Sequence, residues 1–438
     1  MGRREEHTGL HRRFRASLSP QRIARTARET GFVVRKGKIN PFKFVWTLTL
    51  GFACGRDRTV SGLRRAYERL TGTTLVPSSF YERFGAPLVA LLRKLVEHVL
   101  ATTVDITVNV GGTLSGFAEV VLADATVIRL RELLEAHFPA CRTNHTKAAI
   151  KLHLVMSATA VSSRTVAITG ERVNDRRKLK IGPWVKDRRL LFDLGYFGYR
   201  LFDRIDRNRG FFVTRLKTSS NPRITATHRR WRGRAVAVVG KRLQDVLSRL
   251  QRSVLDVEVK VTFRRRRYRG RRSRASRTFR MVAVRNEKTG TYHTYLTNVP
   301  PDRLSAEDVA LAYRARWQME LMFKACKSEF RIDHVPSRNK NVVEALIYAS
   351  ILTMLVTQQL LRYIRSKLND ADARRVTLGR TAAAMCAFGQ ELLRAIGRSV
   401  EAAEERLLER LLIREAMDPH LCRPTLLEEA TGIVGGSA

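Results

Sequence analysis

Apolar positions recur at helical spacing through the first hundred residues and again after residue 301, with a block of period-two segments between them. Residues 1 to about 40 are basic and polar, with short helical pieces such as Pro20–Thr30. Asn40–Phe52 is apolar and aromatic and reads as core-forming. Ser61 can cap a helix over Gly62–Leu70, Thr71-Gly72-Thr73-Thr74 makes a turn, and Pro77-Ser78-Ser79 opens a second helix through Phe84. The pattern fits a helix-turn-helix and equally an ordinary helical hairpin. In the first case Arg64, Arg65, Arg69, Tyr81 and Arg83 are available to phosphates or base edges. Ala86–Leu100, with apolar residues at 88, 91, 92, 95, 96 and 99, is an amphipathic core helix.

From Phe117 the period changes. Phe117–Ala123 is an apolar run ending at Asp124, Ala148–Ser157 a second strand and Arg164–Thr169 a third. Arg189–Phe192 runs into Asp193, a helix follows over Tyr199–Asn208, then a strand at Phe211–Leu216. Three strands followed by alternating helix and strand predict a mixed sheet covered by helices, an α/β fold. Residues 218–300 read as an antiparallel β insert. Leu255–Phe263 alternates strictly there and is joined by the arginine-rich stretch Arg264–Arg277 to Phe279–Val284, and Tyr292–Thr297 is a further strand. Residues 341–415 are almost wholly helical, and the Gly432–Ala438 tail is expected to be disordered. The expected boundaries are 1–115, 116–217, 218–300, 301–365 and 366–438.

Charge narrows the partner. Lys plus Arg number 82 against 40 Asp plus Glu, a net +42, which attracts polyanions over long range; nucleic acid is the expected ligand. A membrane surface is the rival, but no amphipathic or lipidation signal supports it, and the apolar run Ala345–Val356 is too short to span a bilayer. Met-Gly-Arg-Arg-Glu-Glu at the start has no secretory apolar stretch. The five scattered cysteines read as reduced thiols of a cytoplasmic chain. His137, Cys141 and His145 make a poor zinc set, because Pro139 interrupts the helix that would align them.

Tyr313–Lys327 lacks Gly and Pro and reads as one helix. At about 100° per residue, Arg316, Glu320 and Lys327 fall at about −60°, −20° and −40° from Tyr313, in one narrow stripe. Glu320 lies among Met319, Leu321, Met322 and Phe323, so its carboxylate needs a cation, from arginine or metal. A solvated face with an Arg316–Glu320 pair would fit the same residues. Asp124 and Asp193 each close an apolar strand. With Glu320 they make an oxygen-ligand set suited to Mg²⁺ or Mn²⁺, and two such ions could hold the attacking and leaving oxygens of a phosphodiester displacement.

The spacing Tyr-x2-Arg-x3-Glu-x6-Lys resembles, position by position, the Tyr-Arg-Glu-Lys motif of bacterial insertion-sequence DDE transposases of the IS-four family. The likeness covers roughly residues 20 to 365. It implies a ribonuclease-H-like mixed sheet with an inserted β domain between helical N- and C-terminal regions. It makes Asp124, Asp193 and Glu320 the catalytic metal ligands, and gives Tyr313, Arg316 and Lys327 contacts to phosphates at the transposon end. It further implies double-stranded DNA as substrate, terminal inverted repeats read by the N-terminal helices, a dimer on DNA and a place at the bacterial nucleoid. Arg265 and Arg266, in the arginine-rich stretch, would grip phosphates. Relatives carry a base-stacking Trp in the β insert; the comparable strand here has Tyr292, His293 and Tyr295, and Tyr292 is the candidate. A ribonuclease-H-like nuclease or resolvase, and a DNA-binding protein without catalysis, stand as alternatives.

Overall fold

The computed structural model describes residues 10–35, 37–55, 57–102, 117–143, 146–157, 165–231, 234–265, 273–314, 316–398 and 400–420. Six helices come first: α1 (Leu10–Ser17), α2 (Pro20–Glu29), α3 (Pro41–Ala53), α4 (Val60–Thr71), α5 (Pro77–Tyr81) and α6 (Ala86–Thr102). Helix α3 is apolar on every side, and all but its first and third residues are buried, so other helices must surround it. Thr59, not Ser61, caps α4 by accepting from the Gly62 N–H, and Gly72 ends that helix in the left-handed conformation at φ 72°.

The strands follow as β1 (Glu119–Leu130), β2 (Pro139–Thr143), β3 (Thr146–Ser157), β4 (Thr165–Gly170) and β5 (Arg188–Phe192). Then come α7 (Tyr199–Arg207), β6 (Phe211–Arg215), β7 (Arg223–Thr227), the short ribbon β8 (Arg230–Trp231) and β9 (Arg234–Ala235), α8 (Leu243–Leu247), β10 (Val254–Arg264), β11 (Arg274–Arg285) and β12 (Tyr292–Thr297). Helices α9 (Ala306–Arg314), α10 (Trp317–Ser328), α11 (Lys340–Arg365), α12 (Asp370–Arg375), α13 (Leu378–Ala387), α14 (Gly389–Gly397) and α15 (Ala402–Ala416) complete the chain.

One sheet organises the middle of the protein, in the order β2-β3-β1-β5-β6-β12-β11-β10-β7, with β4 also on β3. Strand β1 is antiparallel to β3 and parallel to β5, and β5 is parallel to β6 through the α7 crossover. The protein is thus α/β, with a large mixed sheet and helices at both ends, as the alternation of periods predicts. Apart from the β8–β9 ribbon, the strands of 218–300 join the central sheet and form none of their own. Strand β12 pairs antiparallel with β6, and β11, β10 and β7 continue outward from it.

Two apolar layers sandwich the sheet, and β1 divides between them. Val120 and Leu122 enter the core shared with the helices, whereas Val121 and Ala123 enter the core under α7 and α8. Helix α11 is 26 residues long, enough to cross a bilayer by length, but 83% of its most apolar window is buried inside the protein, so it is the central helix of the first core.

Three expectations change. The Pro139 region is the strand β2, so His137 and Cys141 share no helix, and His145 lies outside the described residues. Asp124 does not end its strand: β1 runs six residues further, because β3 pairs with it through Leu130. The Tyr313–Lys327 stretch is two helices, with Arg316 at the start of the second and Ala315 outside the described residues. The Gly432–Ala438 tail and Arg266 also lie outside them. The four described cysteines are unpaired thiols.

Arg280 of β11 anchors the sheet to the segment before α9. It is 5% exposed, pairs in two-pronged fashion with Asp256 of β10 at 2.8 and 2.6 Å, and donates to the Val299 and Leu304 carbonyls. Removing one partner of such a pair strands a buried charge at a cost of about 3–5 kcal/mol. Arg280→Ala is therefore expected to lower the denaturation midpoint markedly, and the double change Arg280→Met with Asp256→Leu to recover most of the loss. Chemical unfolding of the three proteins checks this, and an unaltered midpoint for Arg280→Ala would remove the anchor's role.

Candidate active site

Strand β1 places Asp124 on the same face as Val120 and Leu122, the face over which α10 packs through Met319, Met322 and Phe323. Asp193 stands where β5 gives way to a 3₁₀ turn, Leu194–Tyr196. An aspartate there ordinarily caps the turn with its side chain, but this one makes no cap hydrogen bond, leaving its carboxylate to the cleft. Glu320 lies in the first turn of α10. These three segments, distant in sequence, line one open cleft of about 620 Å³ together with Thr126, Arg316, Phe323, Lys324 and Lys327.

Arg316 is the centre of this cleft's electrostatics. Its Nη1 lies 3.2 Å from Asp124 Oδ2, its Nη2 bonds Glu320 Oε1, and its side chain is 11% exposed. Burial works against its charge, yet Tyr313, Glu320 and Asp124 together hold its pKa above the ordinary arginine value. Asp124 shows the opposite strain. Burial pushes its carboxyl up to about 6, against the Ala125 N–H and Arg316, and the charges of Asp193 and Glu320 add to the rise. The second and third carboxylates are thus felt at the first. Among the described residues no three Asp, Glu, His or Cys side chains stand close enough to hold an ion. The Arg316 guanidinium lies between two of the three.

The remaining candidates divide. Lys327 lines the cleft; Lys324, which the motif does not include, joins it one turn beyond Glu320, a position the i, i+4 spacing alone would have found. Tyr313 is buried beside the cleft, its ring 5.4 Å from that of Tyr295 and 5.4 Å from the Arg316 guanidinium carbon. It belongs to a neighbouring cavity of about 580 Å³, lined by Arg215, Arg285, Lys288, His293 and Arg314. The helix interruption at Arg316 separates Tyr313, on α9, from Glu320 and Lys327, on α10. The Tyr292 hydroxyl donates to the Leu250 and Arg252 carbonyls, which ties that ring to the backbone of its own region. Arg64 is paired with Glu68 at 2.6 Å and also donates to the Leu75 carbonyl, bracing the α4–α5 turn. Arg65 pairs with Asp57 on the surface. The Arg265 N–H bonds the Ser273 carbonyl across the mouth of the β10–β11 loop.

Over residues 115–356, more than half its length, the sequence matches the family described as Transposase DDE domain. The chain is a DDE transposase. All three carboxylates lie within the matched stretch. It is similar to the transposase for insertion sequence element IS231F of Bacillus thuringiensis subsp. israelensis, 22% identical over 80% of this chain and 79% of that one. It is similar also to the transposase for insertion sequence element IS1151 of Clostridium perfringens, 20% identical over 84% of each. A shorter likeness, 32% over 19% of this chain and 22% of the relative, is to the putative transposase InsL for insertion sequence element IS186A of Escherichia coli strain K12. DNA transposition is therefore the function, and the nuclease and non-catalytic alternatives fall away. As for DDE enzymes generally, a divalent metal is required.

The raised pKa of Asp124 carries a stability consequence for the metal-free transposase. A carboxyl whose folded pKa exceeds its unfolded value stabilises the fold below the unfolded pKa, and that contribution is lost as pH rises through about 6. Asp124→Asn is expected to stabilise the metal-free protein at pH 8 by roughly 2–3 kcal/mol, because each pH unit separating the folded from the unfolded pKa is worth about 1.36 kcal/mol. Near pH 4 the gain should disappear. Melting curves at the two pH values test this; a variant less stable than the parent at pH 8 contradicts it.

Proposed function

We propose that the transposase cuts and rejoins DNA at the cleft of Asp124, Asp193 and Glu320. The observation that carries this reading is their convergence on one cleft from a strand, the turn after a second strand and a helix. The donor set fits a hard divalent ion: it offers carboxylate oxygens only, and its position between Asp124 and Glu320 already draws in a cation, Arg316. Bound there, Mg²⁺ or Mn²⁺, as one ion or two, would activate water and stabilise charge on the scissile phosphate.

The chain's own residues supply the rest. Arg316 exchanges its carboxylates for a DNA phosphate, which its planar fork grips in two-pronged fashion. Lys324 and Lys327 line the same wall as point charges on the strand. Water hydrolyses the phosphodiester at the element's terminus, and the freed 3′-hydroxyl attacks target DNA, a cut-and-paste reaction. Residues 1–115 form the region that reads terminal inverted repeats, and 366–438 the helical C-terminal region. The ribonuclease-H-like core is 116–217 with 301–365, and 218–300 is its β insertion, whose arginine-rich loop, Arg265 and Arg266 included, holds phosphates. Two copies assemble, because two DNA ends are joined in one reaction.

Purified protein with end-bearing DNA and Mg²⁺ should nick the end specifically. Asp193→Asn should reduce this by about a thousandfold or more, corresponding to roughly 4 kcal/mol of lost transition-state stabilisation. Cutting that survives the change would mean Asp193 is not a ligand.

Arg316→Gln gives a second test. It should increase the thermal stabilisation that Mn²⁺ confers without DNA, because the competing cation is gone. It should also slow nicking about 10- to 100-fold, since a hydrogen bond to a charged group is worth about 1.5–3 kcal/mol. Unchanged Mn²⁺ stabilisation would show that Arg316 does not occupy the ion's place.

A further inference from the structure

On the face of the sheet opposite Asp124, a fourth carboxylate, Asp175, is wedged between β3 and the turn that carries Asp193. Its Oδ1 lies 3.0 Å from Lys151 Nζ and 3.8 Å from His153 Nδ1, and its side chain is 15% exposed. Both partners are on β3, and His153 is paired in register with Ala125, the neighbour of Asp124. His153 is fixed from its other side by the Thr169 hydroxyl at 2.8 Å, and burial lowers its pKa to about 4, so it is neutral in neutral solution.

The far side of Asp175 presses on the Asp193 turn. A β-carbon at position 195 would collide with Asp175 Oδ2, and one at 198 would collide with the Arg176 guanidinium. The two glycines of Asp193-Leu194-Gly195-Tyr196-Phe197-Gly198 are therefore the places where the Asp175–Arg177 segment fits into the turn. Tyr196 is 2% exposed, and its pKa is raised by burial first and then by the charges of Asp175, Asp124 and Asp193.

We propose that Asp175 is a positioning residue for transposition, holding the Asp193 carboxylate at its place relative to Asp124. It touches neither DNA nor the reacting atoms. It is the strut between the strand paired with β1 and the turn after β5, locked on one side by Lys151 and on the other by the absent side chain of Gly195. The proposal rests on the reading that Asp193 is a ligand of the cleft.

The test uses the full-length chain with Asp175→Ala, Asp175→Asn and Gly195→Ala, and Asp193→Asn as reference. Nicking of end-bearing DNA, DNA affinity without divalent metal, and the Mn²⁺ concentration giving half-maximal thermal stabilisation are measured. Partners that orient metal ligands are worth about 10- to 100-fold in metal affinity or activity. Asp175→Ala and Gly195→Ala should show a loss of that size in Mg²⁺, a raised Mn²⁺ midpoint, and DNA affinity within about twofold of the parent. Excess Mn²⁺ should restore their nicking but not that of Asp193→Asn. The double change Asp175→Ala with Gly195→Ala should be no worse than Asp175→Ala alone, because the collision is gone. Asp175→Asn keeps the shape and serves if the alanine variant does not fold; its Mn²⁺ midpoint should also rise. Wild-type nicking and an unmoved Mn²⁺ midpoint in the Asp175 variants overturn the proposal, as does a loss of DNA affinity matching the loss of nicking. If Asp193→Asn still cuts, the ligand assignment itself has failed; if it is inactive while the Asp175 variants behave as parent, only the strut has.

Discussion

A carboxylate in the middle of a central strand, with an apolar helix packed over it, cannot retreat to water. Asp124 is in that position: its neighbours Val120 to Ala123 are buried on both faces of β1, and its own exposure is 7%. The fold must supply it with a cation or accept a proton on it. Arg316 is the cation supplied, and its two hydrogen-bonding arms reach Asp124 and Glu320 at once. One side chain thus serves both carboxylates from a single position. The charge that reconciles Asp124 with the core lies between two of the three carboxylates that line the cleft. Sites whose stability and activity pull apart are expected where function depends on a concentrated charge.

The same arginine stands at the interruption of the Tyr313–Lys327 stretch. No Gly or Pro interrupts it, and local propensity predicts a continuous helix. Yet α9 ends at Arg314 and α10 begins at Trp317. The Arg316 N–H bonds the Tyr313 carbonyl, the tighter i to i−3 pattern of a 3₁₀ turn. The interruption falls on the residue whose side chain is drawn toward Asp124, a partner 192 positions away. Sequence periodicity carries no information about such a partner. Arg316, Glu320 and Lys327 line the cleft, and Tyr313, which precedes the interruption, lines the neighbouring cavity.

Other features are legible because they depend on local pattern alone. Strict alternation locates β10, and Tyr292–Thr297 is β12 to the residue. The all-apolar α3 and the amphipathic α6 follow from composition and spacing. What pattern does not reveal is pairing. Asp124 reads as a strand end because Ala-Asp-Ala-Thr breaks the apolar run, but β3 holds β1 extended through Leu130. Strand β2 begins with Pro139, tolerable only because β2 lies at the edge of the sheet. Arg64 and Tyr292 are candidates by type; Glu68 and the carbonyls of Leu250 and Arg252 engage them.

Pairing also joins the strands of 218–300 to the chemistry. Because β12 bonds directly to β6, the outer strands and the β1-β5-β6 core form one hydrogen-bonded surface. Arg280 then ties β10 and β11 to the Val299 and Leu304 carbonyls, immediately before α9. A chain of paired strands and hydrogen bonds therefore runs along β10 and β11, through Arg280, to the segment before α9, the helix that carries Tyr313. A displacement of β10 or β11 would be resisted at the buried Arg280–Asp256 pair, since interiors packed at crystal density transmit strain and do not absorb it. The strands that flank the arginine-rich stretch are in this way continuous with the segment before α9, the helix that leads to the arginine bridging Asp124 and Glu320.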